Sequence, residues 1–132
     1  MPQPESVATR SDLSNQKSID ESVRTGMSVA SLTQAVRDNL FYIQGRFREV
    51  ATPHDLYMAA AYTVRDRMLH RWIKTAQQYK QSGARTVCYL SAEFLLGPHL
   101  ANNLINLGIS NNAREVARGL DFDFEEILAQ EE

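Results

Sequence analysis

The sequence predicts an α/β protein that is rich in helices and contains one strand of the parallel type. Apolar residues recur at three- and four-residue intervals over much of the chain after residue 30, which is the period of amphipathic helices. A continuous apolar run at residues 86–90 is typical of a strand buried on both faces. No second strand is evident, and an isolated central strand leaves both backbone edges unpaired. These observations together indicate part of a larger α/β domain.

The first 28 residues differ in composition from the rest of the chain. They are rich in Ser, Gln, Asp and Glu, and they include Pro2 and Pro4 without a sustained apolar period. Such a segment buries too little apolar surface to offset the conformational entropy that ordering would cost. We therefore expect residues 1–28 to be a disordered N-terminal arm and residues 29–132 to be an incomplete folded portion of one domain.

A first helix is predicted from about Ser31 to Gly45. Leu32, Val36 and Leu40 recur on one helical face, and Ile43 continues that face. The short basic segment that follows, residues 45–50, has no helical period and suits a connecting loop.

The clearest helix in the sequence begins at Thr52. Thr52 can cap the free amides, Pro53 suits the first helical position, and Asp55 stands where the acid of a capping box belongs. Apolar residues then recur almost every fourth position until Ser82-Gly83, which predicts about 30 residues and roughly 45 Å of continuous helix. These apolar positions are Leu56, Ala60, Val64, Met68, Trp72, Ala76 and Tyr79.

The same helix has a basic side formed by Arg65, Arg67, Arg71 and Lys74. The favoured interpretation is a solvated basic face, and the alternative is a site for phosphate or nucleotide.

Three shorter helices are predicted after the strand at Thr86–Leu90. Gly97-Pro98 interrupts the chain, and Leu100, Leu104 and Leu107 align on a helix that Gly108 ends. Residues 111–120 and residues 124–132 provide two further helical stretches. The last 12 residues contain six acids and no bases, and an acidic end opposes the dipole of a finished helix, which is a mild sign of truncation.

Composition excludes several classes of protein. No apolar stretch reaches the length of a membrane span, the N-terminus lacks the pattern of a secretory signal, and Cys88 has no cysteine partner. The formal net charge is −2, which gives no general attraction to nucleic acid or to anionic membranes. We expect a cytoplasmic protein without a nucleic-acid or membrane partner.

Few residues carry candidate chemistry. No two of the histidines His54, His70 and His99 are spaced to share one helical turn, so no metal site is expected. Cys88 is expected to be a buried, inert thiol in the strand. The glycines form no phosphate-binding motif. Glu93 directly follows the strand, at the end where parallel sheets bind ligands, so it is a candidate active-site-wall residue. The alternative for Glu93 is simple solvation in a loop.

Five segments together resemble a known family. ATPHD, TVRDRM, HRWIKTAQQY, YLSAEFLLG and NNLINLG are similar to the N-terminal region of the glycogen, starch and α-glucan phosphorylases, in the family's order and without internal gaps. The resemblance covers about residues 30–132. It implies a Rossmann-like glycosyltransferase B-type domain in a homodimeric enzyme that uses orthophosphate to cleave α-1,4-glucans to glucose 1-phosphate. The implied cofactor is pyridoxal 5′-phosphate.

The resemblance also limits what this chain can do alone. The lysine that holds the cofactor and the residues that grip the substrate phosphate lie further along in the family, so this segment supplies no catalytic and no cofactor-binding residue. We therefore expect the 132-residue chain to be inactive. The alternative is a free-standing helical regulatory or interaction module derived from a phosphorylase.

A remnant of a nucleotide effector site is implied at Trp72 and Gln77. The nucleotide-regulated animal relatives have a second glutamine and a tyrosine where this chain has Ala76 and Lys80. The departures remove one hydrogen-bonding amide and one stacking ring, so we expect AMP recognition to be lost.

Overall fold

The computed structural model describes residues 23–92 and 97–131. Five complete α-helices lie within these ranges, together with a π-helical turn and a 3₁₀ turn, and residues 23–25 are also helical. The helices are α1 (Val29–Asp38), α2 (Pro53–Ser82), α3 (Leu100–Leu107), α4 (Ser110–Gly119) and α5 (Phe124–Leu128). The π-helical turn is Asn39–Ile43 and the 3₁₀ turn is Arg48–Val50. The described part of the chain contains no strand, so the predicted α/β class is wrong for this segment and the observed fold is helical.

The predicted strand is an exposed coil. Residues 84–90 have no regular structure, and Val87, Tyr89 and Leu90 expose 91%, 86% and 92% of their surface. A strand is stabilised by backbone hydrogen bonds to a neighbouring strand. The described residues offer no such neighbour, so β propensity alone does not produce a strand here.

One apolar core joins all five helices. The N-terminal half of α2 packs against α1, α3 and α5, and α4 packs against α1 and α3. The buried core residues are Leu32, Val36, Leu40, Leu56, Ala59, Val64, Leu100, Leu104, Leu107, Ile109, Val116 and Ile127.

The first helix matches its prediction until the π-helical turn. Leu32, Val36 and Leu40 are buried as expected, whereas Ile43 is exposed. A π-helical turn widens the backbone relative to an α-helix. Ile43, the last residue of the turn, therefore leaves the face that the helical spacing predicts.

Both predicted ends of α2 are confirmed. The Thr52 hydroxyl accepts a hydrogen bond from the Asp55 amide at 3.2 Å, and the Asp55 carboxylate accepts one from the Thr52 amide at 3.0 Å. This reciprocal pair is the predicted capping box. At the other end Gly83 has φ +61°, a left-handed conformation that suits glycine and ends the helix.

The acidic C-terminal stretch has a structural use that its sequence did not indicate. The Glu131 carboxylate accepts a hydrogen bond from the Leu100 amide at 2.8 Å. Leu100 is the first residue of α3, where free amides and the helix dipole favour a negative group. Glu131, which follows α5 in the sequence, therefore caps the N-terminus of α3.

Candidate effector face on the long helix

The two halves of α2 direct their apolar side chains to different sides. A helix turns about 100° per residue, so a four-residue repeat drifts by about 40° at each step. Leu56, Ala59 and Val64 in the first half are buried in the core, whereas Trp72 in the second half is 64% exposed. The apolar residues that the sequence places in a single stripe therefore form two separate faces of α2. The face in the second half of the helix points away from the core.

Every residue of α2 from Met68 to Ser82 is exposed. Met68, Trp72, Ala76 and Tyr79 lie within an arc of about 80° on this part of the helix. We call these four residues the effector face. It is an uncovered apolar surface on the half of α2 that extends beyond the core.

The two predicted effector-site residues do not share a side of α2. Trp72 and Gln77 are five residues apart, which separates them by about 140° around the helix axis. Trp72 lies on the effector face beside Ala76, and Lys80 lies between Trp72 and Gln77 at about 80° from Trp72. A single ligand that contacts both Trp72 and Gln77 would have to wrap around the edge of the helix. Their role in binding an effector stays a prediction.

The four residues of the predicted basic side of α2 do not form one solvated face. Arg65 contacts the Asp66 carboxylate at 3.3 Å and lies 4.6 Å from the centroid of the Tyr62 ring. Arg71 and Lys74 are exposed, as the favoured interpretation requires. Arg67, in contrast, is buried.

Arg67 holds the segment before α1 against α2. Its side chain is 1% exposed, and its guanidinium donates hydrogen bonds to the carbonyls of Gly26 at 2.7 and 2.9 Å, Val23 at 3.1 Å and Thr63 at 2.8 Å. Desolvation lowers the pKa of Arg67, and the nearby negative charge of Asp66 opposes that shift.

Sequence reasoning missed this role because Arg67 stands among other basic residues. A usable signal was present, since a residue three positions after Val64 and four after Thr63 lies on the core side of the helix. An arginine on a core-facing position is buried only when its charge and donors find partners.

Two further contacts fasten the same segment. Arg24 forms an ion pair with Asp66 at 2.8 Å, and the Asn112 side chain donates to the Met27 carbonyl at 2.8 Å. Residues 23–27 are therefore tied to α2 and α4. Residues 1–22 lie outside the described residues, so the predicted disorder of the arm stays a prediction.

The remaining candidate residues form no site among the described residues. Glu93 lies outside them. Within the two described ranges, no group of three or more His, Cys, Asp or Glu residues could hold a metal ion. Cys88 is exposed and not buried as expected, because the strand that would enclose it does not form. None of the described helices is long and apolar enough to span a bilayer.

The described lysines do not fit pyridoxal phosphate, the cofactor that the resemblance implies. Lys74 and Lys80 both lie on the exposed half of α2. A lysine that forms a Schiff base is usually activated by desolvation in a pocket or by a neighbouring cation that lowers its pKa. Neither lysine has the enclosed setting that holding this cofactor requires.

Comparison with curated proteins finds phosphorylases. A glycogen phosphorylase of Synechocystis is 52% identical to this chain over 112 residues, which are 85% of the chain and 13% of that protein. The liver and muscle forms of glycogen phosphorylase from Bos taurus are 41% and 39% identical over 105 residues, which are 80% of the chain and 12% of each enzyme. No family model matches the chain.

These matches relate the chain to a family of glycosyltransferases. More specifically, it is a homologue of an N-terminal-type segment of the glycogen phosphorylases, as its sequence motifs indicated. The matched residues span only about an eighth of the relatives' length.

Proposed function

We propose that this chain serves as the N-terminal helical scaffold of an α-1,4-glucan phosphorylase. The observation that carries the proposal is the 52% identity to the Synechocystis enzyme over 85% of the chain. The complete enzyme would cleave glycogen, starch or maltodextrin with orthophosphate and release glucose 1-phosphate. It would act as a homodimer, and pyridoxal phosphate would be held by residues outside this segment and would supply the acid–base group that exchanges a proton with the substrate phosphate.

The surface of the chain supports a scaffold role. The effector face and the coil at residues 84–90 leave large apolar side chains in water, and contiguous apolar patches usually mark contacts with other protein surfaces. A segment of a larger fold has such surfaces because the rest of the fold would cover them.

Exchange of the homologous segment tests the proposal. Residues 29–131 of this chain replace the matching segment of the Synechocystis phosphorylase, and release of glucose 1-phosphate from glycogen is measured. We expect the chimera to retain activity within about tenfold of the parent. The isolated chain is the control, and it is expected to show neither pyridoxal absorbance nor glucose 1-phosphate release. A folded chimera that binds the cofactor and has no activity would contradict the proposal.

A second candidate is a free-standing interaction module derived from a phosphorylase. The observation in its favour is that the five helices close a core of their own. Cooperative unfolding of the isolated chain, together with an inactive chimera, would favour this candidate.

A further inference from the structure

A groove runs between the loop after α1 and the turn after α4. Its volume is about 700 Å³, which is within the range of small-molecule sites. One wall comes from α1 and residues 40–49, and the other comes from residues 119–122. The groove contains no residue of the effector face, and no function has been assigned to it above.

The apolar part of the groove is aromatic. Phe41 is 59% exposed and Phe47 is 55% exposed, although both line the groove. Leu40 also lines the groove and is buried. Exposed phenyl rings beside a concave apolar surface favour a flat apolar ligand, because burying ring against ring adds to the free energy gained from area alone.

The groove is lined by more cationic than anionic side chains. Its lining includes Arg37, Arg46 and Arg48 against Glu49 and Asp121, an excess of one positive charge. Arg37 is exposed and has no ion pair among the residues that the structure describes.

The ion pair of Arg46 is long. Arg46 reaches Asp55 at 3.7 Å, and the same carboxylate oxygen already accepts hydrogen bonds from the amide and the hydroxyl of Thr52. An external anion can therefore compete for Arg46 and Arg37 without leaving Asp55 unsatisfied.

Contacts made by Arg48 fix the shape of the groove before any ligand binds. Its Nε donates to the Leu120 carbonyl at 3.0 Å, another nitrogen donates to the Asp121 carbonyl, and the guanidinium lies 4.7 Å from the centroid of the Phe122 ring. These contacts join the two walls. A ligand would meet a site whose shape is already set, which lowers the entropic cost of binding.

We propose that this groove binds a small molecule with a planar aromatic ring and one anionic group. The ring would pack against Phe41 and Phe47, and the anion would bind Arg37 and Arg46. A carboxylate, a sulfonate and a phosphate share this chemistry, and the experiment compares them.

The probes are 2-naphthoate, 2-naphthalenesulfonate and 2-naphthyl phosphate, titrated into the isolated chain and followed by amide chemical shifts. We expect saturable binding with shifts centred on residues 37–49 and 119–122. The neutral analogue 2-naphthalenemethanol is expected to bind at least tenfold more weakly than the best anion. Sulfate without a ring is expected to show no saturable binding.

Matched variants separate the groove from other surfaces. The double variant Arg37→Gln/Arg46→Gln is expected to weaken binding at least tenfold, and Phe47→Leu at least threefold. Lys74→Gln removes an exposed cation from α2 and is expected to change the affinity by less than twofold. Absence of binding, equal affinity for the neutral analogue, or equal losses in the Lys74 variant and the double variant would overturn the proposal.

Discussion

Arg67 shows how one buried cation organises the start of the described chain. Three carbonyl groups, from Val23, Gly26 and Thr63, accept hydrogen bonds from its guanidinium. No carboxylate faces it at ion-pair distance among the described residues, so hydrogen bonds compensate for most of its desolvation. Removing these donors would leave the three carbonyls without their arginine partner.

Truncation of Arg67 should destabilise the fold. We expect Arg67→Ala to lower the free energy of unfolding by about 2 to 4 kcal/mol, because it removes the donors and opens a cavity. Arg67→Lys keeps a charge and part of the packing, so its loss should be smaller. Urea denaturation measures both, with exposed Lys74→Ala as a control expected to change stability by less than about 0.5 kcal/mol. Equal effects of the Arg67 and Lys74 variants would show that the buried hydrogen bonds do not matter.

The capping box makes stability depend on pH. Hydrogen bonds from the Thr52 amide and hydroxyl hold the pKa of Asp55 below its ordinary value of 3.8. A lowered pKa in the folded state contributes stability above about pH 4, and that contribution is lost as the pH falls through the folded-state pKa.

Asp55→Asn tests this link at acid pH. We expect the variant to unfold at lower urea than the parent at pH 7, and to show a smaller further decrease between pH 7 and pH 2.5. The exposed carboxylate of Glu115 supplies the control, since Glu115→Gln should keep the parent's pH profile. An unchanged profile in Asp55→Asn would contradict a role for this carboxylate.

At the scale of single elements, local signals in the sequence were sufficient to predict where α2 and α3 end. The limits of α2 follow from Thr52, Pro53 and Gly83, because capping chemistry acts within one turn of the helix. The same holds for α3, whose end at Gly108 and buried Leu104 were predicted. The direction of the second half of α2 was not predicted, because a list of every fourth residue hides a drift of about 40° per step.

The two faces of α2 predict different costs for apolar truncation. Leu56→Ala removes a buried side chain and should lower the free energy of unfolding by about 2 to 4 kcal/mol. Trp72→Ala removes a larger side chain that is mostly in water, so its cost in the isolated chain should be below about 1 kcal/mol. Urea denaturation of both variants gives the comparison. A larger loss for Trp72→Ala would mean that the effector face is covered in solution.

At the scale of the whole molecule, long-range pairing limited the prediction. The run Thr86–Leu90 has the composition of a buried strand, yet composition reports only local preference. Sheet formation depends on a partner elsewhere in a polypeptide, and the described residues lack one. Prediction of the groove beside Phe41 was limited for a related reason. The groove joins parts of the chain that are about 75 residues apart in the sequence.

The effector face bears on the regulation of a complete enzyme. We expect a phosphorylase that carries this segment not to be activated by AMP. Lys80 and Ala76 replace the stacking ring and the amide that the sequence resemblance implies. Loss of one stacked ring costs about 1 to 3 kcal/mol and loss of one hydrogen bond about 1 kcal/mol, which together weaken binding roughly a hundredfold or more.

A chimera built on an animal phosphorylase, which we call the host enzyme, measures the loss of AMP activation. Residues 29–131 replace the matching segment of the Bos taurus muscle form, and activity is assayed with and without AMP in the host, the chimera and the chimera with Ala76→Gln/Lys80→Tyr. We expect activation in the host, little in the chimera, and partial recovery in the double variant, because the substitutions restore the amide and the ring. Strong activation of the unsubstituted chimera that Trp72→Ala abolishes would mean that Trp72 suffices for adenine stacking and that α2 tolerates Ala76 and Lys80.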